Sequence, residues 1–84
     1  MNPQAVLEHH AAKINQTVIK NGETTILKLR ENEMVSARIN NLALPNSEQK
    51  IIIEHVNLNT GHAATETLDS NYDLAEWLEE NQAN

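Results

Sequence analysis

Four histidines, three serines and a crowd of carboxylates are the groups in this 84-residue chain that could do chemistry. His9 and His10 are adjacent, so on a helix they point about 100° apart and cannot chelate from one face. His55 and His62 flank a short turn and could approach each other, but no third ligand stands at a recognised spacing, which favours solvated or hydrogen-bonded histidines. Ser36, Ser47 and Ser70 could be nucleophiles with His55 as base, yet none sits in a strained elbow, and Ser70 has a sufficient role as a helix cap. Glu54 and His55 are neighbours on a strand and so face opposite ways. Asp69 to Asp73 imitates the first half of a calcium loop, with Glu80 at the twelfth position, but Leu74 stands where the loop needs glycine for its sharp turn. Gly22 and Gly61 are isolated turn residues and cradle no phosphate. Without cysteine there is no disulfide, thiolate zinc site or cysteine nucleophile. The expectation is a protein that is not an enzyme and carries no metal or cofactor.

Charge is the stronger signal. Residues 1–50 hold all six Lys and Arg and sum to +1, whereas residues 51–84 hold seven acidic side chains, no Lys or Arg, and sum to −7. Direct nucleic-acid binding through the last third is disfavoured, since phosphates need cations. Asp73, Glu76 and Glu80 stack at i, i+3 and i+7 on one side of an expected helix, with Glu79 beside Glu76. Read plainly, they are a solvated helix face that keeps the chain soluble. Read functionally, they are a ridge that docks on a Lys/Arg patch or imitates nucleic-acid phosphates.

The elements that must position these groups centre on Lys50 to Asn59, where Ile51, Ile52 and Ile53 read as a strand buried on both faces. Ile52, Val56 and Leu58 share one parity; Ile51 and Ile53 share the other. Ahead of it, Asn2-Pro3 opens a helix whose stripe Leu7, Ala11, Ile14, Val18 packs on something. We read this helix to Lys20. A hairpin through Asn21-Gly22 is the alternative, favoured by the β-branched run Thr17, Val18, Ile19. Glu23 to Arg30 is a strand with Leu27 and Leu29 inward, and Met34 to Leu44 is another, with Val35, Ala37 and Ile39 inward and a bulge at Asn40-Asn41 that carries Leu42 and Leu44 onto the same face. A loop over Pro45-Asn46-Ser47 follows. After a turn at Asn59 to His62, Ala63 to Leu68 is a short edge strand, polar on both sides. Ser70 then caps a last helix that buries Leu74, Ala75 and Leu78, with Tyr72 and Trp77 at its margins, and frays over 81–84.

These elements predict a single small α+β domain over residues 1–84: N-terminal helix, antiparallel meander of three or four strands, and C-terminal helix, both helices on one sheet face. The other face is then expected to carry Ile26, Ile51 and Ile53 and to serve as a homodimer or partner interface, because such a cluster is unusual on a monomer. No basic leader or apolar span is visible, so a cytoplasmic protein without membrane contact is expected. A small core and few aromatics argue against a ligand cavity. In type alone the chain is similar to phage or mobile-element inhibitors. The expected function is therefore a protein-binding module whose acidic ridge (Asp73, Glu76, Glu79, Glu80) occupies a basic surface of a host protein; the alternative is an assembly subunit that homodimerises through its sheet.

Overall fold

A computed structural model describes residues 2–40 and 50–82. Helix α1 (Pro3–Lys13) starts as its sequence requires: the Asn2 side chain accepts a hydrogen bond from the Gln4 N–H at 3.0 Å, and Pro3 occupies the first turn, where no donor is missed. It stops at Lys13, well short of Lys20. Asn15 adopts φ 57°, the Gln16 N–H returns to the Ala11 carbonyl at 2.8 Å, and the Asn15 N–H reaches Ala12 at 3.4 Å. That pairing satisfies the last carbonyls of a helix closed by a left-handed residue, a position asparagine tolerates. The chain then runs extended. A hairpin does follow, as the alternative had it, but not with its bounds: the first strand covers Ile19–Asn21 and not residues 16–20, and the turn falls at Gly22-Glu23, one residue beyond Asn21-Gly22. Strand β1 (Ile19–Asn21) turns through Gly22 and Glu23 into β2 (Thr24–Arg30). Gly22 has φ 63° and Glu23 does not enter the left-handed region, which makes a two-residue turn with glycine first.

Strands β3 (Glu33–Ile39), β4 (Ile51–Asn57) and β5 (Ala63–Leu68) complete an antiparallel sheet of five strands in chain order. Asn40 still pairs, its N–H donating to the Lys50 carbonyl at 2.8 Å; Asn41, and with it the expected bulge, Leu42, Leu44 and the loop beyond, fall outside the described residues. Between β4 and β5, the Asn57 side-chain oxygen accepts from the N–H groups of Asn59 at 2.9 Å and Thr60 at 3.2 Å, and Gly61 closes the turn at φ 75°. Helix α2 (Asn71–Gln82) is capped by Ser70, whose Oγ accepts from the Asp73 N–H at 3.1 Å.

Both helices lie on the same face, α1 over β2 and β3 and α2 beside α1 and toward β5. Leu7 and Ala11 from α1 and Leu74 and Leu78 from α2 meet Leu27, Leu29, Val35, Ala37, Ile51 and Ile53 in one core. Each fully buried Leu or Ile there contributes about 1.5–3 kcal/mol relative to exposure.

The isoleucine run is two-faced, but its faces are the reverse of those expected. Ala37 lies opposite Ile53 and Ile39 opposite Ile51, so Ile51 and Ile53 point at the helices, 0% and 1% exposed, while Ile52 and Val56 join Ile26 on the open face. Ile51 and Ile53 are therefore core, not interface. The parity is set by the polar residues of the strand: the expected register would bury Glu54, whereas the observed one half-buries His55, which finds partners there. Ala75 is exposed, since Leu74 and Leu78 alone define the buried stripe of α2. Asn81 and Gln82 do not fray: Arg30 donates to the Asn81 carbonyl at 3.0 Å, and Gln82 Nε2 donates to the Leu29 carbonyl at 3.1 Å.

Candidate functional site

The acidic ridge divides in two. Lys13 Nζ reaches Glu79 Oε1 at 2.7 Å, so Glu79 is engaged within the chain, between the helices. The hydrogen bond from Lys13, and after it the ammonium charge, lower the Glu79 carboxyl below its ordinary pKa. Lys50 likewise holds Asp69 at 2.8 Å. Asp73, Glu76 and Glu80 have no side-chain partner among the described residues, and neither has Glu66 on β5.

Helix geometry locates these four carboxylates. Leu74 and Leu78 mark the core side of α2, Glu79 the side toward α1, and Trp77 the side toward β4, where it meets His55 edge-to-face with ring centres 5.3 Å apart. At about 100° per residue, Asp73 and Glu80 then fall on the flank turned away from α1, with Glu76 on the crest. Glu66 lies opposite Ile53 in the sheet and so belongs to the helix-side face of the edge strand. Asp73, Glu76 and Glu80 share the outer side of α2, whose last turn is tied to β2 through Gln82 and Arg30, and Glu66 stands on the same side of the sheet from β5. The charge partition of the sequence pointed to this acidic side, but Glu66 joins only through the register of β5, and Glu79 leaves it only through the approach of α1.

A second surface is the uncovered sheet face. Ile19 lies opposite Ile26, and Ile26, Met34 and Val56 occupy successive strands, with Leu58 just beyond. Ile19 is 61% and Leu58 48% exposed. Ile26, Met34, Val56 and Leu58 line a shallow depression of about 310 Å³. Of the interface expected from the sequence, only Ile26 is on this face.

The titratable groups that do converge form a structural tie. Glu33 Oε2 accepts from Arg30 Nη1 at 3.2 Å and lies 3.2 Å from His55 Nε2, all three partly buried. Arg30 also caps the carbonyl end of α2 through Asn81, the end of a helix that favours a cation. His9 is exposed, His10 is buried against Gln82 and His62 is exposed at the foot of β5. Among the described residues no three His, Asp or Glu side chains are placed to hold a metal ion, and no helix is long and apolar enough to cross a membrane.

The chain matches no protein-family model, no curated protein and no solved structure.

Proposed function

We propose that the protein is a non-enzymatic binding module whose acidic surface docks on a basic patch of another protein, occupying a surface that would otherwise meet nucleic acid. The supporting observation is that the chain pairs Glu79, Asp69 and Glu33 with its own cations and leaves Glu66, Asp73, Glu76 and Glu80 without one among the described residues. Carboxylates on one convex surface raise the local negative potential and steer a cationic partner into register. The inhibitor role follows from occupancy: a partner held this way presents fewer cations to phosphates.

The test compares wild-type bait with a D73N/E76Q/E80Q bait of equal fold in affinity capture. A partner retained by the wild type, lost from the neutral bait and released as salt rises supports the reading. The same partners on both baits would count against it.

A second reading is favoured by the open sheet face. The exposed Ile19 and Leu58 beside Ile26, Met34 and Val56 suit self-association as an assembly subunit. Light scattering on the wild type and on Ile26→Asp separates it from the first: a concentration-dependent dimer lost in the variant supports it, and a strict monomer removes it.

A further inference from the structure

One hydrogen bond fixes which backbone groups of β5 face outward. The Asn57 N–H donates to the His62 carbonyl at 2.8 Å, and along an antiparallel ladder bonded pairs alternate with unbonded ones. In the register running from Ile51↔Leu68 to Val56↔Ala63, Ala64, Glu66 and Leu68 therefore bond to β4. Ala63, Thr65 and Thr67 turn their N–H and C=O groups the other way, where no strand among the described residues meets them.

The two edges of the sheet are not alike. Strand β1 has three residues, one of them Lys20. Strand β5 has six in unbroken register, exposed along most of its length, without proline, lysine or bulge. Those are the devices that blunt an exposed edge, and β5 has only Glu66 in their place.

We infer that β5 accepts an extended segment of a basic protein partner as a sixth strand, its cations on the helix side meeting Glu66 and the Asp73 end of α2. This rests on the docking role proposed for the acidic surface and adds the manner of recognition. Main-chain bonds to Ala63, Thr65 and Thr67 supply affinity, and alternate side chains supply specificity. On the open face the incoming residues lie beside Ala63, Thr65 and Thr67, which suit small or β-branched neighbours. On the helix face they lie beside Glu66 and toward the Asp73 end of α2. A second copy of the chain fits this edge poorly. Two-fold pairing centred on Glu66 sets two carboxylates opposite each other, and pairing centred on Thr65 brings two acidic flanks of α2 together.

The probe is a synthetic peptide alternating lysine with valine or threonine, titrated into the whole protein and followed by NMR. Saturable binding with equal stoichiometry, centred on the amides of Ala63, Thr65 and Thr67, is expected. Methylating one alternate set of peptide nitrogens weakens binding about tenfold, the loss of one or two net main-chain bonds, while methylating the other set does not. Thr65→Pro has the same effect, and because the Thr65 N–H points away from β4 the substitution breaks no ladder bond. The methylated peptides use wild-type protein, so the test survives a Thr65→Pro chain that fails to fold. Equal binding of both methylated peptides overturns strand addition, as does the absence of saturable binding. If the methylated peptides bind equally and D73N/E76Q/E80Q weakens them, the acidic docking role stands and only the strand mode falls; if the variant binds as the wild type does, both fall. A dimer that Thr65→Pro dissociates would overturn the inference in favour of self-pairing.

Discussion

His10 Nε2 lies 3.1 Å from Gln82 Oε1, joining two residues 72 apart in sequence. Gln82 Nε2 donates to the Leu29 carbonyl, which leaves its oxygen as the acceptor and makes His10 Nε2 the protonated nitrogen. One amide thereby ties α1, α2 and β2 together. Gln82→Ala leaves the buried imidazole N–H unpaired, and equilibrium denaturation is expected to show a loss of about 1–3 kcal/mol. Gln82→Glu keeps an acceptor for His10 but loses the donor to Leu29, so it recovers part of that loss.

Ile53 and Ile26 should respond in opposite ways to the same change. Ile53→Ala opens a cavity beneath the helices and costs about 2–5 kcal/mol, and Ile53→Asp abolishes the folded circular dichroism signal. Ile26→Asp, on the open face, keeps that signal. If both aspartate variants fold alike, the facing of β4 described above is wrong.

Two helix ends make a paired test of backbone chemistry. Ser70→Ala removes the acceptor for the Asp73 N–H and is expected to cost about 1 kcal/mol. Asn15→Val forces a β-branched residue into φ 57° and costs about 1–2 kcal/mol, whereas Asn15→Gly is neutral or mildly stabilising. Urea midpoints at constant slope give both.

Glu79 carries an acid dependence whose sign follows from its lowered pKa. Its contribution is fully present above the ordinary carboxylate range and is lost as pH falls through the lower folded-state value. Glu79→Gln therefore differs from wild type at neutral pH and converges with it in strong acid. The neutral-pH difference is small because both partners are exposed. Thermal melts across the acid range read the convergence.

The layer arrangement was legible because it rests on local signals. Asn2-Pro3, Ser70 with Asp73, and the alternation around Leu27 and Val35 each identify an element from neighbours in sequence. Helix α1 was over-extended because Ile14 and Val18 keep helical spacing while packing from a C-cap and an extended segment; the stop depends on Asn15 entering a left-handed conformation, which its residue type permits but does not announce. The parity of β4 is not legible because an isoleucine triplet serves either face; in the observed one His55 meets Glu33 and Trp77 on the helix side and Glu54 is exposed on the other. Of the acidic ridge, Asp73, Glu76 and Glu80 were legible from spacing alone. The capture of Glu79 by Lys13 depends on how two helices meet, and the inclusion of Glu66 on the register of the edge strand.

The sheet runs in chain order, yet the layer that covers it is split between the two flanks of the sequence. During synthesis each hairpin can close on a neighbour that has just emerged, so the sheet assembles from short-range contacts. Such a nascent chain, grown as far as Leu68, has α1 over β2 and β3 but lacks Leu74 and Leu78, which among the described residues complete the core around Ile51 and Ile53. Until α2 leaves the ribosome, that incomplete core and the neighbouring open edge of β5 coexist, the state most open to chaperones and to aggregation. Arrival of α2 ends that state in one step, since its leucines complete the core while Gln82 locks onto His10 and Leu29.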